Sequence, residues 1–250
     1  MSLAGRTVLI TRPASQSGAL EALLRAEGAR PLRFPLIAIE PEPSVLATLA
    51  PRAAAADWLI FTSPSAIDLG WPALREMNTT PRLACVGAAS AEKLGKLAQR
   101  QVIYPQAGSD SASLLTLTEL QDIRDQFILI VRGANGREEL AQALKQRGAR
   151  VAFADIYRRV DTTPDWALFD RQAAAGKLDA CIATTSEIVE RLFRLAGSDR
   201  ARTLQCLQYC VPHPRIAERL AALGVARIVT TRADDAAMVA GLKEWFSRHP

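Results

Sequence analysis

The sequence predicts an α/β protein built from two similar lobes with parallel sheets. Short apolar runs alternate with amphipathic stretches along almost the whole chain, which is typical of parallel strands connected by helices. One strand–turn–helix unit occurs twice, at an offset of 120 residues. Later elements also repeat, at a similar offset. The chain therefore has the pattern of a duplicated half rather than of a short solenoid repeat.

The repeated unit is a buried strand, a turn, an amphipathic helix and a glycine helix stop. Its two copies span residues 7–30 and 127–150. An arginine, Arg12 or Arg132, follows the strand in each copy. Ligands of open α/β sheets bind beyond the carboxyl ends of the strands, so these arginines are the first candidates for ligand contact. Ordinary surface charges at strand ends are the alternative.

Between the two copies, the segment 31–43 contains four prolines and is expected to be an extended connection. Ser44 is expected to cap a helix that continues to Ala56. Apolar runs predict three more strands, each followed by a polar or helical segment. These strands are expected at residues 57–61, 82–86 and 102–104.

After the second copy, residues 57–67 recur at 179–189, and Cys85-Val86 recurs at Cys210-Val211. The segment 154–164 is the counterpart of the proline-rich connection. Two linkers at equivalent repeat positions predict a discontinuous arrangement, in which the linkers act as a hinge. The expected lobes are 1–37 with 162–250, and 42–157, joined by linkers at about 36–43 and 156–164.

The net charge of +5 includes 26 arginines among 31 basic residues. Arginine suits carboxylate or phosphate ligands, although a GC-rich genome would give the same bias. The basic residues are scattered, which argues against a nucleic-acid surface. No apolar run is long enough to span a bilayer, and no secretory segment precedes the first strand. We therefore expect a cytoplasmic protein without membrane contact.

Metal, nucleotide and serine-hydrolase chemistry lack their sequence signatures. Of the four cysteines, Cys85, Cys181 and Cys210 lie in apolar strand-like runs, and only two histidines are present. No G-x-G-x-x-G, P-loop or G-x-S-x-G motif occurs. His213 has no nucleophilic partner in sequence and is expected to be a helix cap or a surface residue. We expect no metal site.

Five strand-to-helix turns can direct backbone N–H groups at an anion, because a helix start has unpaired donors and a positive dipole end. They are 63–65, 87–90, 133–137, 184–186 and 212–215. Ser and Thr are also ordinary N-caps, so each turn alone is a weak signal. The candidate substrate-binding residues, beside the two arginines, are Ser63, Ser65, Gly87, Ser90, Gly133, Asn135, Thr185, Ser186, His213 and Arg215.

Tyr157 lies in the second linker beside Arg158 and Arg159. An aromatic residue at a lobe junction either packs or donates a hydrogen bond to a ligand. Its position alone favours packing.

Five loosely matching segments, in order along the whole chain, resemble the uroporphyrinogen-III synthase family. They are 9–13, 60–66, 86–91, 132–148 and 156–158. The resemblance implies two flavodoxin-like lobes with parallel sheets, joined by a two-stranded β linker, with the ligand cleft between the lobes. It implies a cofactor-free lyase that cyclises hydroxymethylbilane to uroporphyrinogen III, with inversion of ring D and loss of water. In such enzymes backbone amides hold most of the carboxylates, and a tyrosine matching Tyr157 is the favoured catalytic candidate.

The chain departs from the family pattern at residues 212–216, where Ile216 stands at the hydroxyl position that Ser90 fills in the other lobe. A hydroxyl role there is in doubt, and Arg215 is the expected substitute for anion binding.

The resemblance leaves two other classes of function open. A non-catalytic two-lobe binding protein for a small polyanion would share the fold, and turnover would separate it from the enzyme. A flavodoxin-like electron carrier would bind a yellow flavin. The expected partner is the substrate hydroxymethylbilane, with a monomeric state and transient contact with hydroxymethylbilane synthase.

Overall fold

The computed structural model of the protein describes residues 3–108, 110–136 and 138–249. The chain forms two compact units. The first unit comprises Met1–Ala38 with Val160–Pro250, and the second comprises Ile39–Arg159. The chain passes between them at 38–39 and again at 159–160, and both positions lie inside the segments 36–43 and 156–164.

The described residues form eleven strands and eleven α-helices. The strands are β1 (Thr7–Ile10), β2 (Arg30–Arg33), β3 (Ile37–Pro41), β4 (Trp58–Phe61), β5 (Arg82–Cys85), β6 (Val102–Ile103), β7 (Phe127–Gly133), β8 (Arg150–Asp161), β9 (Ala180–Ile182), β10 (Gln208–Val211) and β11 (Ile228–Thr230). The helices are α1 (Gly18–Ala26), α2 (Pro43–Ala47), α3 (Leu49–Ala54), α4 (Pro64–Leu74), α5 (Ala88–Ala98), α6 (Ser111–Leu115), α7 (Glu139–Gln146), α8 (Trp166–Ala174), α9 (Ser186–Cys206), α10 (Pro214–Ala222) and α11 (Asp235–Arg248). None of the described helices is long and apolar enough to cross a membrane.

The first unit has a five-stranded sheet with the order β11-β10-β9-β1-β2, and each of its pairs is parallel. Its apolar strands are buried on both faces, as expected where helices cover both sides of a sheet. Leu9, Cys181 and Tyr209 face one core, whereas Val8 and Ile10 face the other.

The second unit has a six-stranded sheet with the order β3-β8-β7-β4-β5-β6. Without β3, the order β8-β7-β4-β5-β6 reproduces β2-β1-β9-β10-β11 of the first unit, with every equivalent strand parallel to its neighbours. The duplicated α/β fold with parallel sheets is confirmed.

Strand β3 adds to the second sheet beside β8. The Glu42 N–H donates to the Ile156 carbonyl at 2.8 Å, and the Thr162 N–H donates to the Leu36 carbonyl at 3.3 Å. Residue 36 is thus paired with 162 and residue 42 with 156, so the two segments run antiparallel. In the first copy of the repeat, the counterpart of the long strand β8 is divided into β2 and β3, and Pro35 lies between them. Proline lacks the N–H that a continuous strand would use there.

The single helix predicted from Ser44 to Ala56 is wrong. Helices α2 and α3 replace it, with Thr48 between them. Pro51 is the reason, since proline is tolerated in the first turn of a helix but clashes with the preceding turn farther along. The predicted cap at Ser44 is also wrong: Pro43 begins α2, and Glu42 precedes it without a side-chain capping bond.

Candidate functional site

A small pocket, the Tyr157 pocket, lies at the carboxyl ends of β7 and β4, beside Tyr157 and Arg159 of the adjacent strand β8. Its volume is about 110 Å³. The lining residues are Thr62, Ser63, Arg132, Gly133, Ala134, Asn135, Gly136, Tyr157 and Arg159. The structure therefore brings together five of the predicted site residues: Ser63, Arg132, Gly133, Asn135 and Tyr157.

Tyr157 packs its ring in the core of the second unit and is only 3% exposed. Its hydroxyl lies 3.0 Å from the Ser63 Oγ. Ser63 is the N-cap of α4, and its Oγ accepts the Ala66 N–H at 3.1 Å. Either hydroxyl can donate in this pair; where the serine donates, the tyrosine O–H is left for a ligand. The packing expected for Tyr157 is confirmed, and the hydrogen bond to a ligand stays a prediction.

A β-bulge orients the tyrosine. Arg132 pairs with Asp155, but Gly133 pairs with Tyr157, so Ile156 is an extra residue on β8. Side chains of a regular strand alternate between faces, yet Ile156 and Tyr157 both pack in the same core because of the bulge.

Gly133 makes room for the tyrosine ring. A Cβ at this position would lie 2.5 Å from Cε2 of Tyr157, closer than side chains approach one another. The next residue holds the strand end, since the Ala134 N–H donates to the Tyr157 carbonyl at 2.7 Å. Gly133, a predicted substrate contact, thus has a clear role in positioning Tyr157.

Arg132 is 7% exposed and is held by several groups of its own unit. Its Nε donates to Asp155 Oδ1 at 2.7 Å, and its Nη1 donates to the Gly136 carbonyl at 3.1 Å. The guanidinium lies over the Phe153 ring, 3.5 Å from the centroid. Asn135 has a φ of 59°, so the turn after β7 passes through the left-handed region. Arg132 is not an ordinary surface charge, and it fixes this turn.

The remaining predicted residues of the second unit lie at the same sheet edge, because β5 is parallel to β4. Ser65 and Ser90 are buried in the first turns of α4 and α5. Gly87 is the N-cap of α5 and forms no side-chain capping bond. The starting N–H groups of α5 are thus more open to an anion than those of α4, which Ser63 caps.

In the first unit, the predicted residues belong to structural contacts of their own. Arg12 forms an ion pair with Asp235 at 2.7 Å. Thr185 caps α9 by accepting the Ile188 N–H, and Ser186 is the first residue of that helix. His213 Nδ1 accepts the Arg215 N–H at 3.1 Å, which confirms the predicted cap, and Arg215 is exposed.

Sequence reasoning missed several residues around the Tyr157 pocket, Asp155 and Arg159 above all. Arg159 carried a usable signal, because residues two apart on a strand share a face and Arg159 follows Tyr157 by two. Asp155 carried none, since its contact with Arg132 depends on pairing between β7 and β8. Arg137, the end of one predicted turn, lies outside the described residues.

The buried thiols are poor nucleophiles. Burial raises the pKa of Cys85 to about 12 and that of Cys210 to about 11, and it raises the pKa of Cys181 as well. These thiols are protonated at neutral pH. Within the described residues, no group of three or more His, Cys, Asp or Glu side chains is placed to hold a metal ion.

Comparison with known proteins matches most of the chain to one family. The model of the family described as "Uroporphyrinogen-III synthase HemD" matches residues 18–240. The uroporphyrinogen-III synthase of Escherichia coli is 30% identical over 246 residues, covering 95% of this chain and 100% of that protein. A putative uroporphyrinogen-III synthase of Methanothermobacter thermautotrophicus is 30% identical over 207 residues, covering 80% of this chain and 81% of that protein.

Solved structures share the fold. A crystal structure of mutant uroporphyrinogen III synthase from Thermus thermophilus has a TM-score of 0.62 at 21% identity, covering 97% of this chain and 99% of that one. The uroporphyrinogen-III synthetase structure from Helicobacter pylori has a TM-score of 0.56 at 13% identity, covering 98% and 100%.

Proposed function

This chain belongs to the uroporphyrinogen-III synthase family, and from that premise we propose that the Tyr157 pocket is its catalytic site. The family's reaction is the cyclisation of hydroxymethylbilane, a linear tetrapyrrole, in porphyrin and haem biosynthesis. The enzymes are lyases, because the ring closes with loss of water. The observation that carries the proposal is the buried tyrosine whose hydroxyl contacts Ser63 in a pocket lined by two arginines.

Tyr157 is the proton donor in this proposal. Its O–H protonates the departing hydroxyl of the bilane, the carbon–oxygen bond breaks, and water leaves. The methylene carbon left behind is electron-poor. For ring D to be inverted, it bonds to the ring-D carbon that already carries the bridge to the rest of the bilane; that bridge bond then breaks and re-forms at the free α-carbon of the same pyrrole. The proton displaced from that pyrrole carbon returns to the tyrosine oxygen, so the protein ends the cycle unchanged. A positioned tyrosine O–H is suited to the first step as a general acid.

Ser63 is the positioning residue for this proton. Its Oγ accepts the Ala66 N–H and lies 3.0 Å from the tyrosine oxygen, and in this proposal the serine O–H donates to that oxygen. A hydrogen bond to that oxygen also stabilises the negative charge that develops there as the proton leaves. The remaining work is positioning, since ring inversion requires a folded bilane instead of direct closure.

The pocket volume of about 110 Å³ is below the range of about 300–1,000 Å³ that whole ligands occupy. It therefore suits only the reacting end of a tetrapyrrole. Arg132 and Arg159 supply positive charge beside it, which suits a substrate rich in carboxylates.

The test is Tyr157→Phe, which keeps the ring and removes the proton. We expect kcat to fall by about 10²–10⁴-fold with little change in KM. A coupled synthase supplies fresh hydroxymethylbilane as the substrate. The uroporphyrinogen that forms is oxidised, and chromatography separates its type I and type III isomers. The variant should shift the mixture towards type I, the product of closure without enzyme. Tyr104→Phe, which changes a tyrosine away from the pocket, is the matched control and should retain wild-type behaviour.

A Tyr157→Phe variant that forms type III product at the wild-type rate would exclude the tyrosine as the proton donor. If the wild-type protein itself leaves only type I product, the enzymatic assignment fails. The non-catalytic polyanion-binding protein then becomes the better description.

We further propose a monomeric enzyme that works in the cytoplasm. All four cysteines are free thiols, as expected in a reducing compartment. Transient contact with hydroxymethylbilane synthase would protect a substrate that closes by itself when released. Size-exclusion chromatography with light scattering, with and without that synthase, tests both the monomer and the contact.

A further inference from the structure

Three arginines lie near Tyr157, and they differ in their hydrogen-bond and ion-pair partners. Arg132 is bound to Asp155, and Arg158 is bound to Glu40 at 3.0 Å. Arg159 is exposed, lines the Tyr157 pocket, and makes no hydrogen bond or ion pair with the described part of the chain. Among the described residues that line the pocket, Arg159 is therefore the arginine whose charge is uncompensated.

We propose that Arg159 binds a side-chain carboxylate of the pyrrole that reacts at Tyr157, an inference that rests on the proposed function. A guanidinium presents two parallel N–H groups to a carboxylate, which fixes orientation as well as charge. Its position two residues after Tyr157 on β8 gives it the same face of the strand. A carboxylate held there sets the distance between the reacting pyrrole and the tyrosine hydroxyl.

Arg132 is a poorer choice for this contact, although the sequence put it first. A ligand that drew its guanidinium away would leave Asp155 unpaired and remove a donor from the Gly136 carbonyl. It would also separate the cation from the Phe153 ring. Arg132 is thus a positioning residue for the turn 133–136, and Arg159 supplies the free charge.

Substrate preference follows from this division. The pocket admits only part of a tetrapyrrole, so a carboxylate bound there is a substituent of the reacting ring. Arg159 then determines specificity for a bilane that carries a carboxylate at that position, over one that carries a neutral group.

The experiment compares Arg159→Ala, Arg159→Lys and Arg158→Ala. The last removes the same charge from the adjacent residue, outside the pocket lining, and is the matched control. For Arg159→Ala we expect KM for hydroxymethylbilane to rise about tenfold, the effect of one charged hydrogen bond, with kcat changed much less. Arg159→Lys keeps the charge without the fork and should recover part of this loss. Arg158→Ala should retain the wild-type KM.

A second readout is independent of turnover. Fluorescence polarisation of uroporphyrin III, the oxidised product, gives Kd for each variant at several salt concentrations. Wild-type binding should weaken as salt rises, and Arg159→Ala should show a shallower dependence. Circular dichroism checks that the three variants are folded.

Equal KM, Kd and salt dependence for Arg159→Ala and Arg158→Ala, in a protein that makes type III product, would overturn the Arg159 proposal and leave the proposed function intact. A wild-type protein that makes no type III product would remove both proposals together.

Discussion

At the scale of single residues, the buried tyrosines Tyr157 and Tyr209 differ in whether the hydroxyl has a hydrogen-bond partner. Tyr157 has Ser63 within hydrogen-bonding distance. Tyr209 on β10 is fully buried, and its hydroxyl has no partner among the described residues. Burial raises the pKa of Tyr209, with the nearby Cys181 a lesser cause. Burial of a tyrosine is therefore no sign of function by itself; the proposal for Tyr157 is supported instead by the partner at its hydroxyl and by the adjoining pocket.

Tyr209→Phe is expected to stabilise the protein. A buried polar group without a partner costs about 1–3 kcal/mol, and phenylalanine keeps the ring that packs in the core. Urea unfolding followed by circular dichroism would measure the gain in the free energy of unfolding. A loss of stability would show that the hydroxyl is satisfied in solution, contrary to this explanation.

At the scale of secondary-structure elements, the bulge between β7 and β8 shapes the Tyr157 pocket. It brings Tyr157 to the face that Ile156 occupies, and Gly133 leaves the space for its ring. The Arg132–Asp155 ion pair then ties the same two strands together just before the bulge. These features together fix the tyrosine more firmly than a loop would.

Gly133→Ala should disturb this arrangement. The added Cβ would press on the tyrosine ring, and overpacking of this kind destabilises by about 1–3 kcal/mol. We expect type III product formation to fall nearly as far as in Tyr157→Phe. Gly95→Ala within α5 is the matched control, since its Cβ would meet nothing closer than 3.6 Å. That change should preserve activity and stabilise the helix slightly. Wild-type turnover by Gly133→Ala would mean that the ring has room to move.

The sequence predicted the features that depend on residues close together in the chain, such as strands and helix caps. The repeat at an offset of 120 residues located β1 and β7, and His213, expected to be a helix cap or a surface residue, is an exposed helix cap. The sequence did not predict the bulge, because strict alternation would place Tyr157 opposite Ile156. A bulge depends on pairing with a distant strand, here β7. The burial of Arg132 was missed for the same reason, since Phe153 and Asp155 lie on the neighbouring strand.

At the scale of the whole molecule, each unit has its own apolar core on both faces of its own sheet. Leu9 and Leu129 are equivalent in the repeat, and both are fully buried, one in each unit. Duplication has kept the strand order in both units. The Tyr157 pocket belongs to the second unit, and the equivalent Arg12 of the first unit pairs with Asp235 on a helix instead.

The pair Leu9→Ala and Leu129→Ala tests whether the units have separate stabilities. Each change should destabilise by about 2–5 kcal/mol, because it leaves a cavity in a packed core. Hydrogen exchange with mass spectrometry should show lost protection mainly in residues 39–159 for Leu129→Ala, and mainly outside them for Leu9→Ala. Uniform loss across the chain in both variants would indicate a single cooperative unit.

The discontinuous first unit also determines the order in which the protein can fold during synthesis. Strand β1 lies between β2 and β9, and β9 begins only at Ala180. All strands of the second unit have been made before that residue is reached. The second unit can thus be complete on the ribosome while β1 still lacks one neighbour. Strand β1 therefore waits longest for its second neighbour, and its apolar residues Val8–Ile10 are the natural target for chaperones in the interval.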